Sequence, residues 1–381
     1  MLRTYKYLLR PTLERARRLD FMLWQSRLVY NAALEQRIST YRGTGQGIGY
    51  RAQWAHFREV RRGSSDTLGQ INASSLQHLL RRLDKAFAAF FRRLKAGEKP
   101  GYPRFKSRNH FKSLEYTYGD GCKLRQNECG RRSFYLQNVG DLRLCCHRAM
   151  PAESVIKHAV VKQVGERWYA CLMLEAPAPE KRAILTGKQV GVDVGLKSLA
   201  ALSTGELIEN PHWLRQSLAK LGRLQRQASR QVQGSCRQRE TYRQVARLHE
   251  HVAAQRADYL HKVSHRLVTE NDLIAIEDLR LGFMNRNGHL SLASHDAGFG
   301  LLRQMLEYKA ESAGIQVMPL KPSNTTQACS GCGRLVRKDL SVRVHACPDC
   351  GLVLDRDVNA ARNILSLALQ TPLGRSGQPG T

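Results

Sequence analysis

The sequence predicts a multidomain protein of mixed class, in which a β-rich domain precedes an α/β domain. Residues 105–185 contain strand-like runs joined by turns, with no long helical pattern between them. From residue 188 onward, short apolar runs alternate with helical segments, which is the pattern of an α/β sheet. Two Cys-x-x-Cys pairs after residue 328 indicate a metal-binding insertion within that α/β domain.

The first hundred residues predict one strand followed by helices. Residues 3–10 form the strand, and helical periodicity runs from Leu13 to about Arg37. A second helix is predicted over 74–95, where apolar residues share one broad stripe: Leu76, Leu79, Leu80, Leu83, Phe87, Phe90, Phe91 and Leu94. Basic residues cover much of the rest of this helix. They indicate a nucleic-acid-facing surface, with an ordinary solvated face as the alternative.

The middle of the chain predicts a small antiparallel barrel. Gly101-Tyr-Pro103 ends the helical region, and strand-like runs follow at 132–137, 154–164 and 167–175. Gly165-Glu166 separates the last two runs and is typical of a hairpin turn. Strands and turns without intervening helices favour a closed or nearly closed sheet.

The α/β domain follows a Pro-rich linker at 176–182. Residues 189–195 and 272–278 are short, β-branched apolar runs, as expected of strands buried on both faces. Residues 212–268 are almost entirely helical in pattern. The order of the remaining elements is a helix over 299–313, a strand over 315–320, the cysteine-rich insertion and a final helix from Asp357.

Two acids within those buried strands are candidates for metal binding. Period-two alternation places Asp193 on one face with Gly191 and Gly195, and Glu277 on one face with Leu273 and Ala275. A carboxylate among apolar residues is costly unless it is paired, hydrogen-bonded or metal-bound. The alternatives are a strand-end aspartate and a buried ion pair with one of the many arginines.

A third acid begins the final helix. Asp357 precedes an Asn-Ala-Ala-Arg-Asn-Ile segment that predicts a helix, so its side chain can point toward the strand ends. Asp355 competes for this role and is otherwise structural. Asp272 and Asp278 fall on the opposite face of their strand from Glu277, and Asp296 is more typical of a helix cap. Together Asp193, Glu277 and Asp357 suit two hard divalent cations.

The cysteines divide into four that are paired in sequence and six that are scattered. Cys329, Cys332, Cys347 and Cys350 have the spacing of a zinc ribbon, in which four thiolates close the metal site and leave no open position. Disulfides and an iron–sulfur site are the alternatives. The other six fit reduced thiols of a cytoplasmic protein: Cys122, Cys129, Cys145, Cys146, Cys171 and Cys236.

The charge of the chain indicates a polyanionic partner. Lys and Arg number 61 against 32 Asp and Glu, a net charge of +29, and nucleic acid is the most common partner of such a surface. A membrane surface is the rival, but the sequence has no lipidation motif, no secretory leader and no apolar run of spanning length. Nine basic residues concentrate in the predicted helices after residue 212 and indicate phosphate contacts: Arg215, Lys220, Arg223, Arg226, Arg230, Arg237, Arg239, Arg243 and Arg247.

Several segments in order resemble one family. "VGVDVGLKSLA" at 190–200, "IAIEDL" at 274–279, the paired CxxC motifs and "DRDVNAARNI" at 355–364 resemble the split RuvC nuclease of the TnpB family. The resemblance extends to "YKYLLRPTLERARRLD" near the start and "KPGYPRFKSR" in the middle, so it covers nearly the whole chain. TnpB proteins are transposon-encoded, RNA-guided DNA nucleases related to the type V CRISPR effectors.

The resemblance implies a fold. It predicts an RNase H-like (RuvC) nuclease domain interrupted by a zinc ribbon, joined to a wedge-like β-barrel with an inserted helical recognition lobe. The predicted bounds are 1–10 and 105–185 for the barrel, 11–104 for the helical lobe, 186–325 and 355–370 for the nuclease domain, and 326–354 for the ribbon. Residues 371–381 are predicted to be disordered from their composition.

The resemblance also implies an activity. Asp193, Glu277 and Asp357 would hold two Mg²⁺ (or Mn²⁺) ions for DNA hydrolysis, beside one structural Zn²⁺. The partners would be a guide RNA and a target double-stranded DNA, cleaved next to a short motif that the protein reads. A transposase using the same acids is one alternative. An RNA-guided DNA-binding repressor is another, although a repressor would be expected to lack one of the acids and all three are present. The sequence predicts no particular oligomeric state.

Overall fold

A computed structural model describes residues 2–126, 130–177, 185–279, 282, 284, 288–321, 324–339 and 342–370. The chain divides into two compact units, Met1–Pro177 and Ala178–Thr381, each with its own sheet and buried core. The division falls in the predicted linker, of which residues 178–182 lie outside the described part. The predicted disordered tail also lies outside it.

The first unit contains a seven-stranded antiparallel sheet. Its strands follow one another in space as β2-β6-β7-β1-β5-β4-β3. Their bounds are β1 (Leu2–Arg10), β2 (Ser113–Thr117), β3 (Cys122–Gln126), β4 (Arg132–Leu136), β5 (Gly140–Cys145), β6 (Val155–Val164) and β7 (Arg167–Glu175). The predicted runs at 132–137, 154–164 and 167–175 correspond to β4, β6 and β7. Closure of this sheet into a barrel stays a prediction.

Buried and more accessible side chains alternate along the central strands of this sheet. Strand β7 buries every second residue, from Trp168 to Leu174, while the intervening side chains are more accessible. Gly165, with a φ of +57°, supplies the left-handed conformation that the tight β6–β7 turn requires. Strands β2, β3 and β5, each five or six residues long, were not individually predicted.

Three helices lie in sequence between β1 and β2: α1 (Leu13–Thr44), α2 (Tyr50–Arg62) and α3 (Ala73–Lys95). Thr12 and Asn72 cap α1 and α3 by accepting hydrogen bonds from main-chain amides of the first turn. Helix α1 runs past the predicted end at Arg37, because the first residue with a terminating left-handed conformation is Gly45. The first part of the predicted stripe of α3 lies in the core, with Leu76, Leu80 and Leu83 fully buried, whereas Phe91 and Leu94 at its end are exposed.

The second unit is built on a mixed five-stranded sheet in the order β10-β9-β8-β11-β12. Strands β8, β11 and β12 are parallel, whereas β9 and β10 run antiparallel to their neighbours. The bounds are β8 (Gln189–Val194), β9 (Ser198–Leu202), β10 (Leu207–Glu209), β11 (Leu273–Glu277) and β12 (Gln316–Leu320). The predicted buried strands at 189–195 and 272–278 are therefore adjacent in space.

Helices cover both faces of this sheet. They are α4 (Trp213–Arg230), α5 (Cys236–Glu270), α6 (Gly288–Ala297), α7 (Phe299–Ala313) and α8 (Arg356–Gln370). One face, with Val192 and Ile274, shares its core with residues of α5 and α7. The other face, with Leu273 and Ala275, packs against Ile364 and Ala368 of α8. The predicted helical stretch 212–268 is two helices, because residues 231–235 form a loop.

Candidate active site and metal centre

Asp193 and Glu277 meet at the carboxyl ends of two parallel strands. The β8–β11 register pairs Val192 with Ile276, so the next residue of each strand is one of the two acids. Their carboxyl groups lie within hydrogen-bonding reach of each other. As the sequence predicts, side chains alternate between the two faces of each strand, so Asp193 shares a face with Gly191, and Glu277 shares one with Ala275. Gly191 and Ala275 both contact α8, and the two acids therefore lie on the face that α8 covers. Asp193 is only 8% exposed.

The environment of this pair opposes full ionisation. Burial raises the pKa of Asp193 far above its usual range, and the nearby charges of Glu277 and Asp357 raise that pKa further, while Arg356 lowers it. Burial also raises the pKa of Glu277. Two adjacent buried carboxylates are both ionised only when a positive charge compensates them. The pair therefore holds either a proton or a cation.

Asp357 stands apart from this pair. It lies in the first turn of α8, with Arg356 Nε 3.4 Å from Oδ1 and Arg343 Nη1 3.9 Å from Oδ2. Its charge acts on Asp193. Among the described residues, however, the three acids do not form a group whose ligand atoms all lie within 4.8 Å. The structure thus brings Asp193 and Glu277 into contact and places Asp357 nearby without contact between all three.

Asp355 has a separate position from Asp357. Its Oδ1 accepts hydrogen bonds from the amides of Asp357, at 2.8 Å, and Val358, at 3.3 Å. These bonds cap the N-terminus of α8 and satisfy amides that have no partner within the helix.

The other acids near the strands are engaged elsewhere. Asp272 accepts a hydrogen bond from the Gly187 amide, and Asp278 is paired with Arg303. Asp296 accepts bonds from the amides of Leu214, at 2.8 Å, and Arg215, at 3.1 Å. It is a helix cap as predicted, but it caps α4 rather than a helix that follows it in sequence.

The four paired cysteines converge on one point. Their sulfur atoms all lie within 4.8 Å of one another, and the Cys329–Cys350 and Cys332–Cys347 distances are both 3.6 Å. Zinc–sulfur bonds of about 2.3 Å in a tetrahedral site place the sulfurs about 3.8 Å apart. The arrangement therefore fits zinc. The amides of Cys350 and Asp349 lower the pKa of Cys347 to about 6, which favours the thiolate form that binds metal.

Each Cys-x-x-Cys pair is held in a matching turn. The amide of Gly333 donates to the Cys329 carbonyl at 2.9 Å, and the amide of Gly351 donates to the Cys347 carbonyl at 3.1 Å. Both glycines have positive φ, +80° and +71°, which side chains at these positions would disfavour. A short hairpin of β13 (Val344–Ala346) and β14 (Val353–Asp355) connects the second pair to α8.

The scattered cysteines are not part of this centre. Five of them are free thiols in the structure: Cys122, Cys145, Cys146, Cys171 and Cys236. The sixth, Cys129, lies outside the described residues.

Two asparagines of α8 bind the first cysteine turn and were not predicted. Asn359 is fully buried, donates to the Ala328 carbonyl at 2.7 Å and accepts from the Ser330 amide at 2.9 Å. Asn363 donates to the carbonyls of Thr325 and Ala328, both at 2.7 Å. The signal was their spacing of four residues, which places both amides on one side of a helix. The cysteine site is thereby fixed to the helix that carries Asp357.

The predicted basic residues form an exposed surface. The side chains of all nine, from Arg215 to Arg247, are exposed on α4 and the first half of α5. Glu240 pairs with Arg243 at 3.1 Å and with Arg247 at 3.8 Å. The other seven form no ion pair within the described part of the chain. We call these nine residues the basic face.

A cleft in the first unit was not predicted. It has a volume of about 310 Å³ and is lined by Trp24, Arg27, Arg108 and Lys112, among others. Trp24 is 47% exposed and its ring lies 5.9 Å from that of Phe21. The helical periodicity of α1 did not indicate this cleft, because an exposed aromatic residue within a long helix resembles a core residue in sequence.

Comparison with known proteins identifies the family. Three family models match: "Probable transposase" over residues 171–288, "Cas12f1-like, TNB domain" over 299–364 and "Helix-turn-helix domain" over 1–46. The last of these ranges contains strand β1 and the single helix α1 here. A "Putative RNA-guided DNA endonuclease" of Streptomyces pristinaespiralis is 37% identical, over 96% of this chain and 89% of its own length. The chain belongs to the TnpB family.

Further matches agree with TnpB membership. "Putative RNA-guided DNA endonuclease InsQ" of Escherichia coli K12 is 29% identical over 96% of this chain and 92% of its own length. The structure entitled "Cryo-EM structure of the Cas12f1-sgRNA-target DNA complex" shares the fold, with a TM-score of 0.57 and 17% identity over 92% of this chain and 82% of that one. In the described part of the chain, no helix combines the length and apolar character needed to cross a membrane.

Proposed function

We propose that this TnpB-family protein is an RNA-guided endonuclease that hydrolyses DNA at the site of Asp193, Glu277 and Asp357. The observation that carries the proposal is the adjacent pair of Asp193, which is buried, and Glu277, which is partly buried, at the carboxyl ends of β8 and β11. A guide RNA and a DNA target are proposed because two relatives that align along almost the whole chain are named as RNA-guided DNA endonucleases.

The donor set suits magnesium or manganese. Carboxylate oxygens are the ligands that these hard cations prefer, and a compensating cation removes the cost of two adjacent buried carboxylates. Two such ions would be held by Asp193 and Glu277, with Asp357 completing the site. The ions supply Lewis acidity and an activated water for phosphodiester hydrolysis.

The protein's own groups position this site. The cap from Asp355 fixes the first turn of α8, and Asn359 and Asn363 fix that helix to the cysteine turn. A single Zn²⁺ bound by Cys329, Cys332, Cys347 and Cys350 would make this support rigid without taking part in the reaction. Arg343 and Arg356, close to Asp357, would attract the scissile phosphate toward the acids.

Nucleic acid would be held by phosphate contacts. We assign the guide RNA and its heteroduplex with target DNA to the basic face, because seven of its nine cations have no acidic partner among the described residues. The cleft beside Trp24 combines three cations and one acid, Asp20, with an exposed aromatic ring, and this net positive lining suits a stacked base next to a phosphate. A short motif beside the target would be read by the protein.

The test is plasmid cleavage in Mg²⁺ with the protein and its copurifying RNA. A guide that matches the plasmid should give cleavage next to a fixed short motif, and a mismatched guide should not. Asp193→Ala, Glu277→Ala and Asp357→Ala should each reduce cleavage by about 10³-fold or more while leaving RNA and target binding within a few-fold of wild type. Asp258→Ala, which changes an exposed acid of α5, is the matched control and should cut normally.

Other outcomes distinguish the alternatives. Cleavage that ignores the guide sequence would refute RNA guidance. Joined rather than broken DNA products would instead support a transposase, the activity named in the description of the 171–288 match. Full activity in all three acid variants would place the chemistry elsewhere. Guided binding without cleavage by the wild-type protein would indicate a repressor.

A further inference from the structure

Two histidines and a glutamate cluster in the first unit, in the half of the chain without the acids and the paired cysteines. His78 lies on α3, Glu115 on the edge strand β2, and His158 on the neighbouring strand β6. Thr117 of β2 lies directly opposite His158 in the strand register. One ligand atom from each of His78, Glu115 and His158 lies within 4.8 Å of the other two.

The distances within the cluster match metal coordination. His78 Nδ1 and Glu115 Oε1 are 3.4 Å apart. A metal ion with bonds of about 2.0–2.1 Å to nitrogen and oxygen in a tetrahedral site separates two ligands by about 3.4 Å. The other ring nitrogen of His78, Nε2, lies 3.0 Å from the Thr117 hydroxyl. A histidine ligand usually has such a hydrogen bond on its second nitrogen, which fixes the orientation of the ring.

A second observation points to a missing ligand. His158 Nδ1 is buried and has no hydrogen-bond partner in the described part of the chain. A buried polar atom without a partner is costly, and ordinary structures avoid it. An ion pair between a protonated His78 and Glu115 explains one contact of the cluster. That ion pair does not explain why the buried His158 Nδ1 has no partner among the described residues. A metal ion bound by the cluster would lie beside the His158 ring.

We propose that His78, Glu115 and His158 bind one transition-metal ion of the Zn²⁺, Co²⁺ and Ni²⁺ class, a site separate from the four cysteines and the three acids. Two imidazoles and one carboxylate are ligands that these ions accept, and three protein ligands leave a fourth position for water. The ion would join α3 to the strands β2 and β6. It would therefore stabilise the packing of the helices on the edge of the first sheet.

The experiment measures zinc stoichiometry and thermal unfolding on the full chain, purified without a histidine tag. With the four-cysteine site filled and excess Mg²⁺ present to occupy the three acids, titration of wild-type protein with Zn²⁺ should reach about two bound zinc ions per chain. His78→Gln, His158→Gln and Glu115→Gln should each stop at about one. Cys347→Ser combined with Cys350→Ser should also lose one ion, but it should retain the one bound in the first unit.

Thermal unfolding separates binding from folding defects. Glu115 is partly exposed and glutamine has nearly its size, so Glu115→Gln should unfold near the wild-type temperature without added zinc. Added Zn²⁺ should raise the Tm of wild type and not that of Glu115→Gln. His110→Gln and Glu98→Gln, at exposed positions of the same unit, are matched controls and should keep both zinc responses. A wild type that stops at one ion, or a Glu115→Gln variant that binds the second one, would overturn the proposal.

Discussion

Asp355 and Asp357 are two residues apart, yet their surroundings give them different tasks. Asp355 accepts main-chain hydrogen bonds, whereas Asp357 faces two arginines and influences Asp193. We expect Asp355→Ala to lower the free energy of unfolding by about 1 kcal/mol, the usual cost of removing a helix cap. Asp355→Asn should keep most of that stability because asparagine also caps helices. Urea unfolding of both variants measures this difference.

The same pair provides a test of the third acid. Asp357→Ala should abolish cleavage with little change in stability, because its carboxylate makes only weak contacts with arginines at 3.4 and 3.9 Å. If Asp355→Ala loses cleavage at unchanged stability while Asp357→Ala cuts normally, the two assignments must be exchanged.

Cys122 illustrates how burial controls a thiol. It is 2% exposed, and burial raises its pKa to about 12. We expect iodoacetamide at pH 8 to label the exposed Cys146 and Cys236 in native protein and to leave Cys122 unlabelled until urea is added. Peptide mass mapping gives the result. Labelling of Cys122 as fast as that of Cys236 would contradict it.

The raised pKa of Cys122 also has a consequence for stability. The unfolded thiol ionises near pH 8.5, whereas the folded one keeps its proton to about pH 12. The folded state therefore binds more protons between these values, so stability from this group is complete below about pH 8.5 and declines as pH rises. Cys122→Ala should remove this part of the decline in urea unfolding measured from pH 8 to 10.

Residue-level prediction succeeded where it depended on alternation along a strand. The faces of the sheet on which Asp193 and Glu277 lie were predicted correctly, because successive side chains of a strand point to opposite faces. The distance of Asp357 from that pair was not predictable. It depends on how α8 is rotated on the sheet, and this rotation is set by packing and by Asn359 and Asn363 rather than by local sequence.

Among the elements, α8 and β8 approach each other with no space for a side chain at Gly191. A Cβ at this position would overlap the carbonyl oxygen of Ala361 and lie 2.9 Å from Leu365 Cβ. We expect Gly191→Ala to destabilise the protein by about 3 kcal/mol, because both obstacles are part of a packed helix. It should also reduce cleavage by displacing α8 from the acids.

Gly222 is the matched control for that change. It lies inside α4, and a Cβ added there would have no neighbouring atom within 4 Å beyond the helix's own backbone. Gly222→Ala should therefore stabilise the protein by up to about 1 kcal/mol through helix propensity alone. Equal effects of the two substitutions in urea unfolding would refute the close contact between α8 and β8.

Elements with a clear apolar pattern were predicted well, and some short strands were not. Helix α7 and strand β7 match their predicted bounds, since each presents a clear apolar pattern. Strands β9 and β10, of five and three residues, were not predicted as separate elements. Such short strands are stabilised by cross-strand neighbours that local sequence does not reveal.

At the scale of the whole molecule, the net charge of +29 predicts strongly salt-dependent RNA binding. Removing one phosphate contact should reduce the slope of log affinity against log salt by about 0.7–0.9. We expect Arg223→Gln, Arg226→Gln and Arg230→Gln to reduce this slope additively. Arg266→Gln is the control, because Arg266 lies on α5 but is already paired with Glu206 at 2.7 Å. Filter binding across a salt series measures it, and unchanged slopes in all three variants would exclude the basic face.

The central position of β1 affects how the first unit is made. This strand is translated before both of its neighbours, β5 and β7, which follow about 130 or more residues later. At about 5–20 residues per second, the nascent strand waits roughly 7 seconds or more with both edges unpaired. Arg3, Lys6 and Arg10 lie three and four residues apart along it. Like charges on neighbouring nascent chains repel one another, so we expect these three residues to oppose aggregation of the strand on a polysome until its partners arrive.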